Sequence, residues 1–210
     1  MKIDLKGIKN IIFDLGGVIL GLNFKASVKA FREIGLDYDM FDGKLGFSDE
    51  IFYHVQTGRV TPEEFRGKAK VILNNPEVTA SEIDDAWCAM LKGIPFSRID
   101  TIYRLRKKYK VFLFSNTNKI HIDRLEEEFS GEHGFPLASC FDAVFYSHEI
   151  HDAKPAASAF LKVIELAKVN PAETLFVDDI HENIEGAQKA GLKTFHLKEG
   201  MEMNEVFEDY

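Results

Sequence analysis

Four groups along the chain carry residues suited to phosphoryl transfer, and they come in a fixed order: Asp14, then Ser115-Asn116-Thr117-Asn118, then Lys154-Pro155, then Asp178-Asp179. A carboxylate can attack phosphorus. A hydroxyl and a lysine can hold the phosphoryl oxygens, and further carboxylates can keep the divalent cation that neutralises the charge developing there. Each group is common when taken alone. An isolated Asp after a strand is a cap, Lys-Pro is a helix start with a solvated lysine, Asp-Asp is an amino-cap pair, and Ser115 can cap a helix while it also faces a phosphate. Two adjacent carboxylates are nevertheless costly unless a cation binds them. The ordered set, more than any member, carries the reading.

Three of the groups end apolar runs: "IIFD", "VFLFSN" and "TLFVDD". Such runs read as buried parallel strands whose last residue emerges at the carboxyl edge, where open α/β sheets hold their ligands. Strands are expected at 8–14, 111–115, 141–147, 174–178 and 193–197, with helices at 97–108, 120–129, 155–168 and 183–190 between them. Gly191 follows as a carboxyl cap, and Asn170-Pro171-Ala172-Glu173 reads as a capped single turn. The alternation predicts an α/β fold: a Rossmann-like parallel sheet with helices on both faces. It breaks between Asn23 and Ile94, where helical periodicity and no convincing strand predict an inserted all-helical cap. The expected division is a core of residues 1–22 and 95–210 with a cap of residues 23–94. Thr61-Pro62-Glu63-Glu64 is a capping box with proline at the first helical position, and Ser81 with Asp84 is expected to open another helix. Gly58, Asn74-Asn75-Pro76 and Gly93-Ile94-Pro95 mark turns. The acidic end, 199–210, could be a short docked helix or a frayed tail.

Composition narrows the class. The 210 residues, 45% hydrophobic, suffice for one core and a smaller helical lobe. A net charge of −8 and a pI near 5.4, with no basic run longer than Arg104 to Lys110, argue against a nucleic-acid partner. Cys88 and Cys140 show no CxxC spacing and are expected to pack as small hydrophobes. No apolar run reaches the roughly 18 residues of a membrane span, and the amino terminus lacks a signal-peptide pattern. A cytoplasmic protein with no membrane partner is the expectation.

The residues resemble the haloacid dehalogenase-like (HAD) superfamily of aspartyl-phosphate phosphatases over nearly the whole chain. "FDLGGVIL", "FSNTNKIH", "KPAASAF" and "FVDDIHENIEGAQKAGL" look like the subgroup that includes the bacterial glucose-1-phosphate phosphatases. The resemblance implies Asp14 as the nucleophile, forming a phosphoaspartyl intermediate. It implies Ser115, the Asn116 backbone N–H and Lys154 as phosphate ligands. Magnesium would be held by Asp14, the Gly16 carbonyl and Asp179, with Asp178 beside them through water; Asn183 would stand where many relatives place another carboxylate. One departure bears on catalysis. The family pattern is Asp-x-Asp, whose second Asp is the general acid/base, and this chain has Gly16. Such a group typically contributes about 10²- to 10⁴-fold. The subgroup also carries glycine there, and the anomeric hydroxyl of a sugar 1-phosphate is acidic enough to need less protonation.

The expected function is therefore a magnesium-dependent phosphatase of a small phosphorylated metabolite, with sugar 1-phosphates first in line. The non-enzymatic alternative is a phospho-ligand-binding relative that has lost turnover at Gly16. A dehalogenase would leave Asp178-Asp179 unexplained, and a signalling receiver places its acidic pair first. His148 and His151 flank Glu149 as H-E-x-H, not the H-E-x-x-H zinc spacing, and read as loop histidines or as substitute acids near Lys154. Asp37-Tyr38-Asp39 with Asp42-Gly43 fails as a calcium loop, because Phe41 stands at the fifth position, Asp42 at the glycine position and Ser48 at the twelfth. Phe47, Phe52 and Tyr53 are expected in the core of the cap.

Overall fold

The computed structural model describes residues 3–37 and 49–210, the side chains of Asp49 and Phe52 excepted. The failed calcium loop beyond Asp37, Phe47 and the side chain of Phe52 thus lie outside the described residues. Five parallel strands, β1 (Asn10–Phe13), β2 (Lys110–Ser115), β3 (Ala143–Tyr146), β4 (Thr174–Asp178) and β5 (Lys193–His196), form one sheet in the order β3-β2-β1-β4-β5. Successive side chains of a strand point to opposite faces. Ile11, Phe13, Val111, Leu113, Leu175 and Val177 accordingly pack into one core. Ile12, Phe112, Phe114, Phe145 and Phe176 pack into another on the opposite face. Both faces are covered, which is why the strands read as unbroken apolar runs.

The first face is covered by α5 (Phe96–Arg106), α6 (Lys119–His133) and the terminal α10 (Met203–Val206), through Ile99, Leu105, Leu125, Phe129 and Phe207. The acidic carboxyl end is thus a docked helix. The second face carries α8 (Ala157–Ala167) and α9 (His181–Lys189), through Phe160, Val163, Ile184 and Ala187. A short helix, α7 (Ser147–Ile150), begins where the third strand was expected to continue. Asn170 caps its single 3-10 turn as expected, its Oδ1 accepting from Ala172 N–H.

Between β1 and α5 the chain forms α1 (Phe24–Glu33), α2 (Asp49–Gln56), α3 (Pro62–Ile72) and α4 (Ala80–Cys88). These helices share a separate core of Phe31, Phe65, Ala69, Ile83 and Trp87, which Ile120 of α6 joins. The Thr61 box opens α3 with both reciprocal bonds. The opening of α4 differs from expectation. Thr79, not Ser81, is the amino cap, because Thr79 Oγ1 accepts from Glu82 N–H while the Glu82 carboxylate accepts from Thr79 N–H. Thr-x-x-Glu satisfies two orphan donors at once, and Ser81 falls inside the first turn.

Tyr53 is a second correction. It was expected in a core and is 44% exposed, with the Arg59 guanidinium 5.4 Å from its ring centroid. On α2 it is Val55 that turns inward. Cys88 and Cys140 are free and buried, and burial pushes the Cys88 thiol up to about 12. No helix among the described residues is long and apolar enough to cross a membrane.

Candidate active site

Because β1 is central and its neighbours β2 and β4 run parallel to it, their carboxyl ends open onto one crevice. Asp14 follows the last residue of β1 and keeps a ladder bond, its N–H donating to Val177 O at 2.9 Å. Its carboxylate meets Lys154, whose Nζ lies 2.6 Å from Asp14 Oδ1 and 2.7 Å from Asp178 Oδ2. The lysine side chain is 1% exposed. Phe114 of β2 and Phe176 of β4 flank its ammonium with ring centroids 5.3 and 5.2 Å away.

Asp178 is held from the other side. Its Oδ1 accepts from Ile180 N–H at 2.8 Å, and Asn183 Nδ2 donates to both of its oxygens at 3.1 Å. The group is a buried ion triad, and the electrostatics follow from that. Burial is the largest influence on Asp14 and pushes its carboxyl up to about 7, with Lys154 opposing and Asp178 adding to the rise. Burial pulls the Lys154 ammonium down, but the charges of Asp14 and Asp178 outweigh it and hold the lysine above its usual range. Asp179 is raised by burial and by Asp178.

The triad has room for one more cation. Asp14, Asp178 and Asp179 each offer an oxygen, all within 4.8 Å of one another. Three carboxylates face one amine, and Asp179 Oδ1 is buried without a hydrogen-bond partner. Gly17, at φ +81°, sits so close to the Asp179 carboxylate that a β-carbon there would overlap it. Hard oxygen donors around an orphaned acceptor fit a small divalent cation.

Ser115 ends β2 beside Tyr146 of β3 and is buried. The Asn116 carboxamide reaches across to Lys154, and Asn118 caps α6 with Oδ1 accepting from His121 N–H at 3.1 Å. His121 Nδ1 meets Asn118 Nδ2 and its Nε2 meets Trp87 O, so the ring ties α6 to α4. Burial pushes this histidine down to about 4, and it is neutral. These residues bound a cavity of about 720 Å³. Asp14, Gly16, Ser115, Asn116, Lys154 and Asn183 form its floor, and Leu22, Phe24, Val28, Gln56, Trp87 and Met90 its walls.

His148 and His151 do not line it. His148 stacks on Tyr146 of β3, while His151 Nδ1 meets Thr57 O at 3.0 Å and so ties the end of α2 to the loop after α7. Ser147 was not foreseen. Its Oγ accepts from Thr117 N–H at 2.9 Å and donates to Thr117 O at 3.1 Å, locking the loop after β2. Like Ser115, it directly follows an apolar run, the same signal at a third strand. We expect Ser147→Ala to destabilise the protein by about 1–3 kcal/mol, because it strands a buried peptide donor and acceptor. An unchanged midpoint in urea denaturation would contradict this.

A family model described as haloacid dehalogenase-like hydrolase matches residues 8–191. The chain is 37% identical over 195 residues to a D-ribitol-5-phosphate phosphatase of Bacteroides thetaiotaomicron, covering 92% of this chain and 93% of that one. It is similar to a HAD family enzyme from the same organism solved as the wild-type protein with magnesium and inorganic phosphate: TM-score 0.87, 34% identity, 95% of this chain and 99% of that one. A HAD-like family hydrolase from Porphyromonas gingivalis superposes with TM-score 0.81 at 34% identity, covering 92% of each chain.

Proposed function

The chain belongs to the haloacid dehalogenase-like hydrolases, and from that premise we propose that it is a magnesium-dependent phosphatase acting on a small phosphorylated metabolite, a sugar or polyol phosphate. The observation that carries the reading is the Asp14–Lys154–Asp178 triad on the floor of a cavity whose residues include Ser115 and Asn116. In this proposal Asp14 attacks phosphorus, the ester oxygen leaves with the P–O bond electrons, and water then hydrolyses the aspartyl phosphate to release phosphate and regenerate Asp14. The Ser115 hydroxyl, the Asn116 N–H and Lys154 hold the phosphoryl oxygens. Asp14, Asp179 and the Gly16 carbonyl, with Asp178 through water, would hold magnesium, whose charge offsets that of the phosphoryl group. Residues 1–22 and 95–210 act as the core, and residues 23–94 as the cap that closes over the substrate.

Gly16 bears on which ester is cleaved. His121 on the wall is badly placed to donate the leaving-group proton, since both its nitrogens are engaged and burial pushes it down to about 4. A leaving group that needs little protonation is then favoured, and a sugar 1-phosphate is one. A second reading has its own support. The relative named for D-ribitol 5-phosphate points to an open-chain primary ester.

Phosphate release from glucose 1-phosphate, glucose 6-phosphate and D-ribitol 5-phosphate separates the two. Faster turnover of the 1-phosphate supports the leaving-group argument, and faster turnover of either primary ester rejects it. Gly16→Asp supplies a further prediction. Gly16 has no positive φ, and a β-carbon there would stand 2.7 Å from Leu22 Cδ1, the end of a side chain that can turn aside. The variant should fold and gain on 6-phosphates by up to about 10²-fold, with less gain on 1-phosphates. Equal gains on both would reject the explanation.

A further inference from the structure

We infer that the side chain of Asn116 is a positioning residue that sets Lys154 against the phosphoryl group, a role separate from the backbone N–H at the same position. Its carboxamide makes two bonds to one residue on another loop. Lys154 N–H donates to Asn116 Oδ1 at 2.9 Å, and Asn116 Nδ2 donates to Lys154 O at 2.7 Å. The side chain thus copies one rung of a β-ladder at the point where the strands have ended.

The lysine loop needs such a rung. It runs from α7 to α8, and the residue after Lys154 is Pro155, which brings no N–H. Against α9 the loop packs sterically at the proline: a β-carbon on Gly186 would overlap Pro155 O. The hydrogen bonds at Lys154's own peptide groups are those to Asn116. A carboxamide offers a donor and an acceptor side by side, which a carboxylate or a methyl cannot. One residue therefore couples the loop after β2, which supplies Ser115, to the loop that supplies the ammonium. Their separation is held at the scale of a hydrogen bond, and misplacement of a catalytic group by about 1 Å can cost 10²-fold.

The inference rests on the phosphatase reading, and its test keeps the two apart. Kinetics on p-nitrophenyl phosphate with magnesium would be compared for the parent, Asn116→Ala, Lys154→Met and the double variant, each checked for folding by circular dichroism. Asn116→Ala should lower kcat about 10- to 100-fold and change KM by less than about threefold, because the ammonium acts most strongly on the transition state. In the Lys154→Met background the same substitution should cost less than about threefold, since the group it positions is gone. Fully additive losses, a loss carried by KM, or a kcat within about threefold of the parent would overturn the role. Asn116→Asp is the near-isosteric control should the alanine variant fail to fold. It keeps the acceptor but turns an oxygen toward Lys154 O, so it should fall as far as Asn116→Ala. Calorimetry with orthovanadate, a mimic of the phosphoryl group in transfer, gives a readout that needs no turnover: either variant should bind it about tenfold more weakly, and unchanged affinity would reject the proposal. A parent that binds orthovanadate but releases no phosphate from esters would defeat the phosphatase reading while leaving this second readout to judge Asn116.

Discussion

Asp14→Asn is expected to reduce magnesium-dependent phosphate release by about 10⁴-fold or more while leaving the fold intact. An amide cannot form the acyl phosphate, and it nearly matches the carboxylate in shape. The folded protein should not suffer. Burial already pushes the Asp14 carboxyl up to about 7, so its ionisation costs the native state free energy that an amide avoids. Without metal, the variant should therefore melt at or above the temperature of the parent at pH 8. Residual turnover within tenfold of the parent would remove Asp14 from the nucleophile's place. A variant that melts far below the parent would show that the carboxylate is needed for structure.

Lys154→Met should have the next largest effect, on turnover and on stability together. Loss of one preorganised donor to the phosphoryl oxygens is worth about 10²- to 10³-fold in kcat. It also leaves Asp14 and Asp178 facing each other, buried and without their amine. Breaking a buried pair in this way typically costs about 3–5 kcal/mol. The sign with pH follows from the direction of the Asp14 shift. A carboxyl whose folded pKa lies above its unfolded value of 3.8 stabilises the native state when protonated, below the unfolded value, and that contribution is lost as pH rises through about 7. Removing the lysine raises the carboxyl further, so the deficit of the variant should be larger at pH 8 than at pH 5. Thermal melting in chelator at both values reads it directly. A deficit of the same size at both pH values would mean that the lysine's aliphatic packing, and not its charge, is what the site loses.

Much of the fold was legible because buried strands and amphipathic helices have different periods. The runs ending in Asp14, Ser115 and Asp178 are apolar on both faces, and both faces are covered. Helix ends were less legible where two caps compete. Ser81-x-x-Asp84 and Thr79-x-x-Glu82 overlap in sequence, and only the longer Glu side chain reaches back to its own cap N–H. Tyr53 misled for a related reason: an aromatic-rich helix carries more rings than one face can bury, and rotation about the helix axis decides which stay out.

The residue types of the site and their order along the chain were determined by sequence alone, since phosphoryl transfer needs a carboxylate, a hydroxyl, an amine and metal-binding acids at strand ends. Which atoms meet was decided by the tertiary structure. That Lys154 bridges Asp14 and Asp178, that Asn116 and Ser147 stitch separate loops, and that Gly17 makes room for the Asp179 carboxylate all involve residues from 24 to more than 160 positions apart or a backbone angle at one glycine. Local propensity acts over a turn or two of chain. Contacts of this kind arise only when sheet order places β1 between β2 and β4 and the ladder bonds run out at their ends, leaving side chains to complete the hydrogen bonding that the strands no longer supply.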